Sequence, residues 1–134
     1  RACSETLEAD PDFVLRTGFT YAGHPTACAA GLANLDIIER EGLLERANHI
    51  GDVMVGHLAE LQRAGRIGAT RGVKAVWAME LHEGLHAFKA RDQLLDLGLI
   101  VRPQSPTAIG LCPPLIISDE QLGRAFEAIG QVTA

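Results

Sequence analysis

Lysine is nearly missing from this chain: of its 12 basic residues only Lys74 and Lys89 are lysines. Any chemistry that needs a lysine amine therefore has two candidates. Cysteine is scarce too. Cys3, Cys28 and Cys112 are far apart and form no C-x-x-C or Cys/His ligand pattern, which argues against a disulfide framework or a zinc site and for a reducing, cytoplasmic setting. No apolar run reaches the length of a membrane span, and the N-terminus lacks the charged-then-apolar layout of a signal peptide. The first residue is Arg1 rather than methionine, as in a processed or trimmed piece. There is no Lys/Arg cluster, and the net charge of -5 argues against an electrostatic nucleic-acid surface. Neither nucleic acid nor membrane is expected as a partner. Internal repeats and low-complexity segments are absent as well.

What is present fits a globular domain. The 134 residues are 47% hydrophobic and 22% charged, enough apolar material for a real core and too much for disorder. Residues 1–17 read as a polar lead-in, with a turn at Asp10-Pro11 and a short apolar patch, Phe13, Val14 and Leu15, suited to a strand or anchoring turn. The stretch Gly18-Phe19-Thr20-Tyr21-Ala22-Gly23-His24-Pro25 follows. Its glycines permit unusual backbone angles, Thr20 offers a hydroxyl, and Pro25 suits a first helical turn. Such a loop is either a plain connector or a cradle for an anion such as phosphate.

A helix is expected from Pro25 to about Arg40. Its small residues Ala27, Ala29 and Ala30 and its broad apolar surface (Leu32, Leu35, Ile37, Ile38) suggest burial on more than one side. Gly42 marks a junction. A second helix, about Leu43 to Ala64, carries Leu43, Ala47, Ile50, Met54, Leu58 and Leu61 at spacings of three and four, with Glu45, Arg46, Asp52, Glu60 and Arg63 on the wet side. Gly65 ends it. Alternation from Val73 to Leu81 predicts one half-buried strand, with Trp77 and Met79 in the core. A third helix, about Leu85 to Leu97, closes at Gly98. Leu99 to Arg102 reads as a strand stopped by Pro103, and Ala108 to Cys112 as its hairpin partner. Ser118-Asp119-Glu120-Gln121 is a capping box for a terminal helix reaching about Gly130. The order predicts an α+β or α/β layer, with helices on a sheet of at least three strands.

The stretch from Gly18 to Ala30, with Leu35-Asp36-Ile37-Ile38-Glu39-Arg40-Glu41-Gly42-Leu43, resembles class III pyridoxal-phosphate aminotransferases. So do Thr70-Arg71-Gly72-Val73, Gly98-Leu99-Ile100-Val101-Arg102-Pro103 and Leu111-Cys112-Pro113-Pro114-Leu115-Ile116-Ile117-Ser118, in the same order. The resemblance implies the C-terminal portion of a fold type I enzyme: long helices, then a small, mostly antiparallel sheet covered by helices. Residues 1–24 would end the large cofactor domain, 25–64 would be linking helices, and 65–134 the small domain.

The same resemblance implies site roles. Thr20, with the backbone at Phe19, would contact the phosphate of pyridoxal 5'-phosphate held by the neighbouring subunit of a homodimer. Arg102 would bind the carboxylate of an amino-acid or keto-acid substrate. A hydroxyl with nearby amides suits a phosphate, and a guanidinium fork suits a carboxylate; an isolated strand-end arginine is also commonly just solvated. The amino group would pass from an amine or amino acid to a keto acid or aldehyde. Departures stand beside these matches. The lysine that forms a Schiff base with the cofactor, and the acid that pairs with its pyridinium nitrogen, lie upstream in the family. Lys74 occupies a strand position where the family commonly has a small residue, and Lys89 sits on a surface helix, so neither is expected to take that role. Catalytic residues and metal ligands are not expected in this segment. His24 shapes the loop, and His49, His57, His82 and His86 read as surface residues. The segment Leu81–Gly98 is short for the family. A non-catalytic binding or assembly module with the same fold is the rival reading, favoured if a start codon lies near Arg1. Without its covering partner, the helix after Pro25 should leave an apolar patch that drives self-association.

Overall fold

The computed structural model describes residues 18–134, together with Glu5 and Ala9. The apolar patch at Phe13, Val14 and Leu15 lies outside the described residues. The chain divides into two compact units, Arg1–Ile37 and Ile38–Ala134.

The first unit contains the Gly18 loop and most of α1 (Pro25–Arg40), an alanine-rich helix with Arg40 in its last turn. Within these residues the helix shows the exposed apolar surface expected of it without a covering partner, and burial on several sides is not seen. None of its residues is buried, and Leu32 and Leu35 are 63% and 61% exposed. Apolar composition makes burial favourable where a surface is available, but does not supply that surface.

The second unit begins on firmer ground. Gly42, at φ 60°, separates the helices in the left-handed conformation expected of a junction glycine. Its partner α2 (Leu43–Arg63) then buries Ile50, Met54 and Leu58, one residue per turn. Gly65, at φ 67°, terminates it, with the Gly65 and Arg66 amides donating to the carbonyls of Gln62 and Leu61. Next come β1 (Ile67–Val73), β2 (Val76–Leu81), α3 (Ala87–Asp96), β3 (Arg102–Ser105), β4 (Ala108–Leu111) and α4 (Asp119–Val132). The four strands form one antiparallel sheet in the order β1-β2-β4-β3. This is an α+β architecture of four helices and a small antiparallel sheet.

Two strand boundaries differ from expectation. The single strand foreseen over Val73–Leu81 is a hairpin: Val73 pairs with Val76, and Lys74-Ala75 make the turn. Gly68, Gly72 and Arg71 diluted the strand signal of β1. Lys74 thus leaves the strand and sits at φ 52°, the one described non-glycine residue in the left-handed region. Likewise β3 starts where it was expected to stop. Pro103 lies inside it, opposite Ile109, which is tolerable because β3 is an outer strand. The capping box is as expected: the Gln121 amide donates to Ser118 Oγ at 3.1 Å, and the Ser118 amide to Gln121 Oε1 at 2.9 Å.

One face of the sheet makes the core. Met79, Leu81, Ile109 and Leu111 join Ile50, Met54 and Leu58 of α2, Ala90 and Leu94 of α3, and Leu122, Phe126 and Ile129 of α4 in one cluster. Each fully buried side chain of this size contributes about 1.5–3 kcal/mol relative to exposure. Alternation sends the intervening residues to the other face. There, Arg102, Gly110, Ala78 and Arg71 follow one another across the four strands.

Two glycines let the layers meet. A Cβ at Gly51 would lie 2.5 Å from the Lys74 carbonyl oxygen, so α2 approaches the β1–β2 turn at backbone contact. A Cβ at Gly72 would lie 2.6 Å from the Trp77 ring, and the Trp77 indole nitrogen donates to that same Lys74 carbonyl at 2.7 Å.

Candidate functional site

The Gly18 loop is a pair of linked turns. The Ala22 amide donates to the Phe19 carbonyl at 2.9 Å and the His24 amide to the Tyr21 carbonyl at 3.2 Å. Gly23, at φ 75°, lets the chain reverse into α1, whose first bond runs from the Cys28 amide to the His24 carbonyl at 3.0 Å. This bonding places Thr20 at the bend. Thr20 is exposed, and neither its hydroxyl nor its amide donates a hydrogen bond among the described residues. Phe19 and Tyr21 are exposed beside it, at 90% and 81%. A phosphate needs donors that are not already used, and Thr20 meets that requirement.

Arg102 belongs to the second unit. As the first residue of β3 it pairs with Gly110, so its guanidinium rises from the sheet face opposite the core. It is exposed and forms no hydrogen bond or ion pair among the described residues. The register explains why. Glu80 is the single acid in the four described strands, and it is held by Arg71 at 2.7 Å in a diagonal pair on that face. An unengaged fork of five donors can present two parallel N–H groups to a carboxylate. Phe19 and Thr20 share one loop, while Arg102 lies in the other compact unit.

The two lysines lie apart from both candidate sites in the sequence. Lys74 is in the hairpin turn and Lys89 is exposed on α3. Cys28 and Cys112 are both free and exposed. Among the described residues no group of acidic, histidine or cysteine side chains could hold a metal ion, and no helix is long and apolar enough to cross a membrane. An apolar cavity of about 160 Å³ lies against the core, with Met54, Val101, Leu111, Phe126 and Ile129 in its wall. It has no titratable side chain beyond Cys112, and Arg102 does not line it.

The sequence reading missed a polar clasp between helices. Arg46, assigned to the wet side of α2, donates to Asp119 Oδ1 at 2.8 Å and to the Ile117 carbonyl, while His49 Nε2 donates to Asp119 Oδ2 at 2.8 Å. The His49 hydrogen bond first, and then that of Arg46, hold the Asp119 carboxyl below its ordinary range. His57 is likewise no simple surface residue, since it stacks on Phe126 with ring centroids 4.8 Å apart, and His86 caps α3. The Asp119 clasp and the His57–Phe126 stack are tertiary contacts that no local spacing announces, whereas the His86 cap is local, made with the Phe88 amide.

With this geometry in place, comparison with known proteins gives the class. The sequence matches the family described as Aminotransferase class-III over residues 5–133. The chain belongs to the class III aminotransferases. It is 36% identical over 115 residues to the ornithine aminotransferase of Bacillus cereus (strain Q1), covering 86% of this chain and 28% of that protein. The corresponding enzyme of Halalkalibacterium halodurans is 38% identical over 112 residues, covering 84% and 27%. Among solved structures, a thermostable (S)-enantioselective omega-transaminase from Thermomicrobium roseum superposes with a TM-score of 0.85 at 32% identity, over 98% of this chain and 31% of that one. An acetylornithine aminotransferase from Elizabethkingia anophelis gives 0.79 at 29% identity, over 90% and 31%. The chain thus spans less than a third of the length of these relatives.

Proposed function

We propose that these residues do the work of the C-terminal portion of a pyridoxal-phosphate-dependent aminotransferase, one that moves an amino group from an amine or amino acid to a keto acid or aldehyde. The observation that carries the reading is family membership over residues 5–133 together with an unengaged guanidinium at Arg102. Thr20, with the Phe19 backbone, holds the phosphate of a cofactor bound by the neighbouring subunit of a homodimer in the cytoplasm. When bound, the cofactor supplies the electron sink that stabilises charge developing on the substrate carbon. Arg102 anchors the substrate carboxylate, which orients the amine or carbonyl end toward that sink and saves the entropy of a second encounter. The base that moves the proton is a lysine outside these residues. By itself this chain binds and orients but does not transaminate.

Two measurements test the reading. Borohydride reduction of the chain with added cofactor, followed by mass mapping, should leave Lys74 and Lys89 unlabelled; stoichiometric labelling with turnover would overturn it. A chimera in which these residues replace their counterpart in the Bacillus cereus ornithine aminotransferase should transaminate. In that chimera Arg102→Ala should cost about a hundredfold in kcat/KM for carboxylated substrates. An inactive but well-folded dimeric chimera, or an Arg102→Ala chimera of full activity, would refute it.

A further inference from the structure

We infer that Gln104 is a second contact for the carboxylate that Arg102 binds, held in place by the absence of a side chain at Gly110; this rests on the carboxylate role of Arg102 proposed above. Arg102 pairs with Gly110, and Pro103 with Ile109, but Ser105 pairs with Ala108, so Gln104 is the extra residue of a bulge in β3. A bulge re-aims the side chain it carries. Here the side chain turns back over Gly110: a Cβ on that glycine would lie 2.4 Å from Gln104 Nε2, 3.1 Å from Cγ and 3.2 Å from Cδ. A glycine Cβ would point to the face of its directly paired neighbour, which is the face of Arg102. The amide of Gln104 and the guanidinium of Arg102 therefore flank one small-residue floor, continued by Ala78 on β2.

The chemistry of the pair suits one ligand end. A carboxylate has about four lone-pair positions, of which a guanidinium fork fills two. The Gln104 NH₂ group forms no hydrogen bond among the described residues and has donors to give to a third. Being neutral, it adds a donor without drawing Arg102 into an internal ion pair, as an acid at this position would. Glu80, the nearby acid on the same face, is already occupied by Arg71 at 2.7 Å. The ligand class is the carboxylate end of a 2-oxo acid or amino acid.

Nuclear magnetic resonance titration of the 134-residue chain with pyruvate, following the Arg102 Nε–H and the Gln104 side-chain NH₂, tests this directly. Both signals should move with one common Kd. Gln104→Ala should raise that Kd about fivefold with the Arg102 shift retained, the worth of one hydrogen bond to a charged group in a wet site. Gln104→Glu should abolish the Arg102 shift. Gly110→Ala, whose methyl would fill the space of the amide, should mimic Gln104→Ala; if it unfolds the sheet, the Gln104 variants decide alone. Movement of Arg102 without Gln104, or a Kd unchanged in Gln104→Ala, overturns the inference and leaves the Arg102 reading intact. Stillness of both signals up to saturating pyruvate overturns both.

Discussion

The helices α1 and α2 make an instructive pair. Both are apolar by content, both carry an internal glycine, and they follow one another across Gly42. Yet α2 buries Ile50, Met54 and Leu58, and α1 buries nothing. The presence of a packing surface is what separates them. In α2 the apolar residues recur one per turn and face a sheet in the same compact unit. In α1 Leu32, Leu35 and Ile38 also recur at spacings of three, but none of them is buried among the described residues. Hydrophobicity states a demand, and packing depends on whether a neighbour meets it.

Core truncation should give the widest contrast. Met54→Ala removes a side chain that is 1% exposed and should cost about 2–5 kcal/mol, whereas Leu35→Ala on α1 should stay within about 0.5 kcal/mol. Urea unfolding followed by the fluorescence of the single tryptophan, Trp77, measures both. Equal losses would erase the distinction. One glycine from each helix comes next, with opposite signs. Gly51→Ala drives a methyl into the Lys74 carbonyl and should destabilise by about 1–3 kcal/mol. Gly31→Ala meets nothing within 4 Å and should favour the α1 helix by about 0.5–1 kcal/mol, readable as slower amide exchange along it.

Smaller effects sharpen the account of the second unit. Lys74→Gly relieves a left-handed non-glycine residue and should stabilise by about 1 kcal/mol, with the Trp77 bond to the carbonyl retained. A thermal melt showing a loss would mean that the lysine side chain supports the turn. The smallest effect is pH-dependent. The folded-state pKa of Asp119 is lowered by His49 and Arg46, so the stability it lends is complete above its unfolded value and is lost as pH falls through the folded one. Acid unfolding below about pH 4 should therefore be less steep in Asp119→Asn, while the wild type and variant differ by a constant amount near neutrality. Parallel acid curves would show that the clasp is electrostatically idle.

Much of this could be read along the chain. The glycine junctions at Gly42 and Gly65, the periodic face of α2 and the Ser118–Gln121 box are local features, and local rules found them. The β1–β2 hairpin was hidden because glycines and an arginine interrupt β1, and because Lys74 is an improbable turn residue. Arg102 was legible as an expectation through its motif. Its lack of a partner among the described residues was not, since that depends on Arg71 reaching Glu80 on the neighbouring strand. Gln104 escaped notice for the same reason: its position is set by a bulge and by a glycine six residues away on another strand.

Pro103 has a consequence for how copies of this chain behave toward each other. An outer strand ordinarily offers a row of amide donors on which a foreign strand can build. On β3 that row is broken: Pro103 has no N–H to give, and the next residue, Gln104, is thrown out of register by the bulge. Any strand arriving there would find a missing donor followed by a shifted phase. The same two residues that frame Arg102 therefore also blunt amyloid-like growth from this side of the sheet.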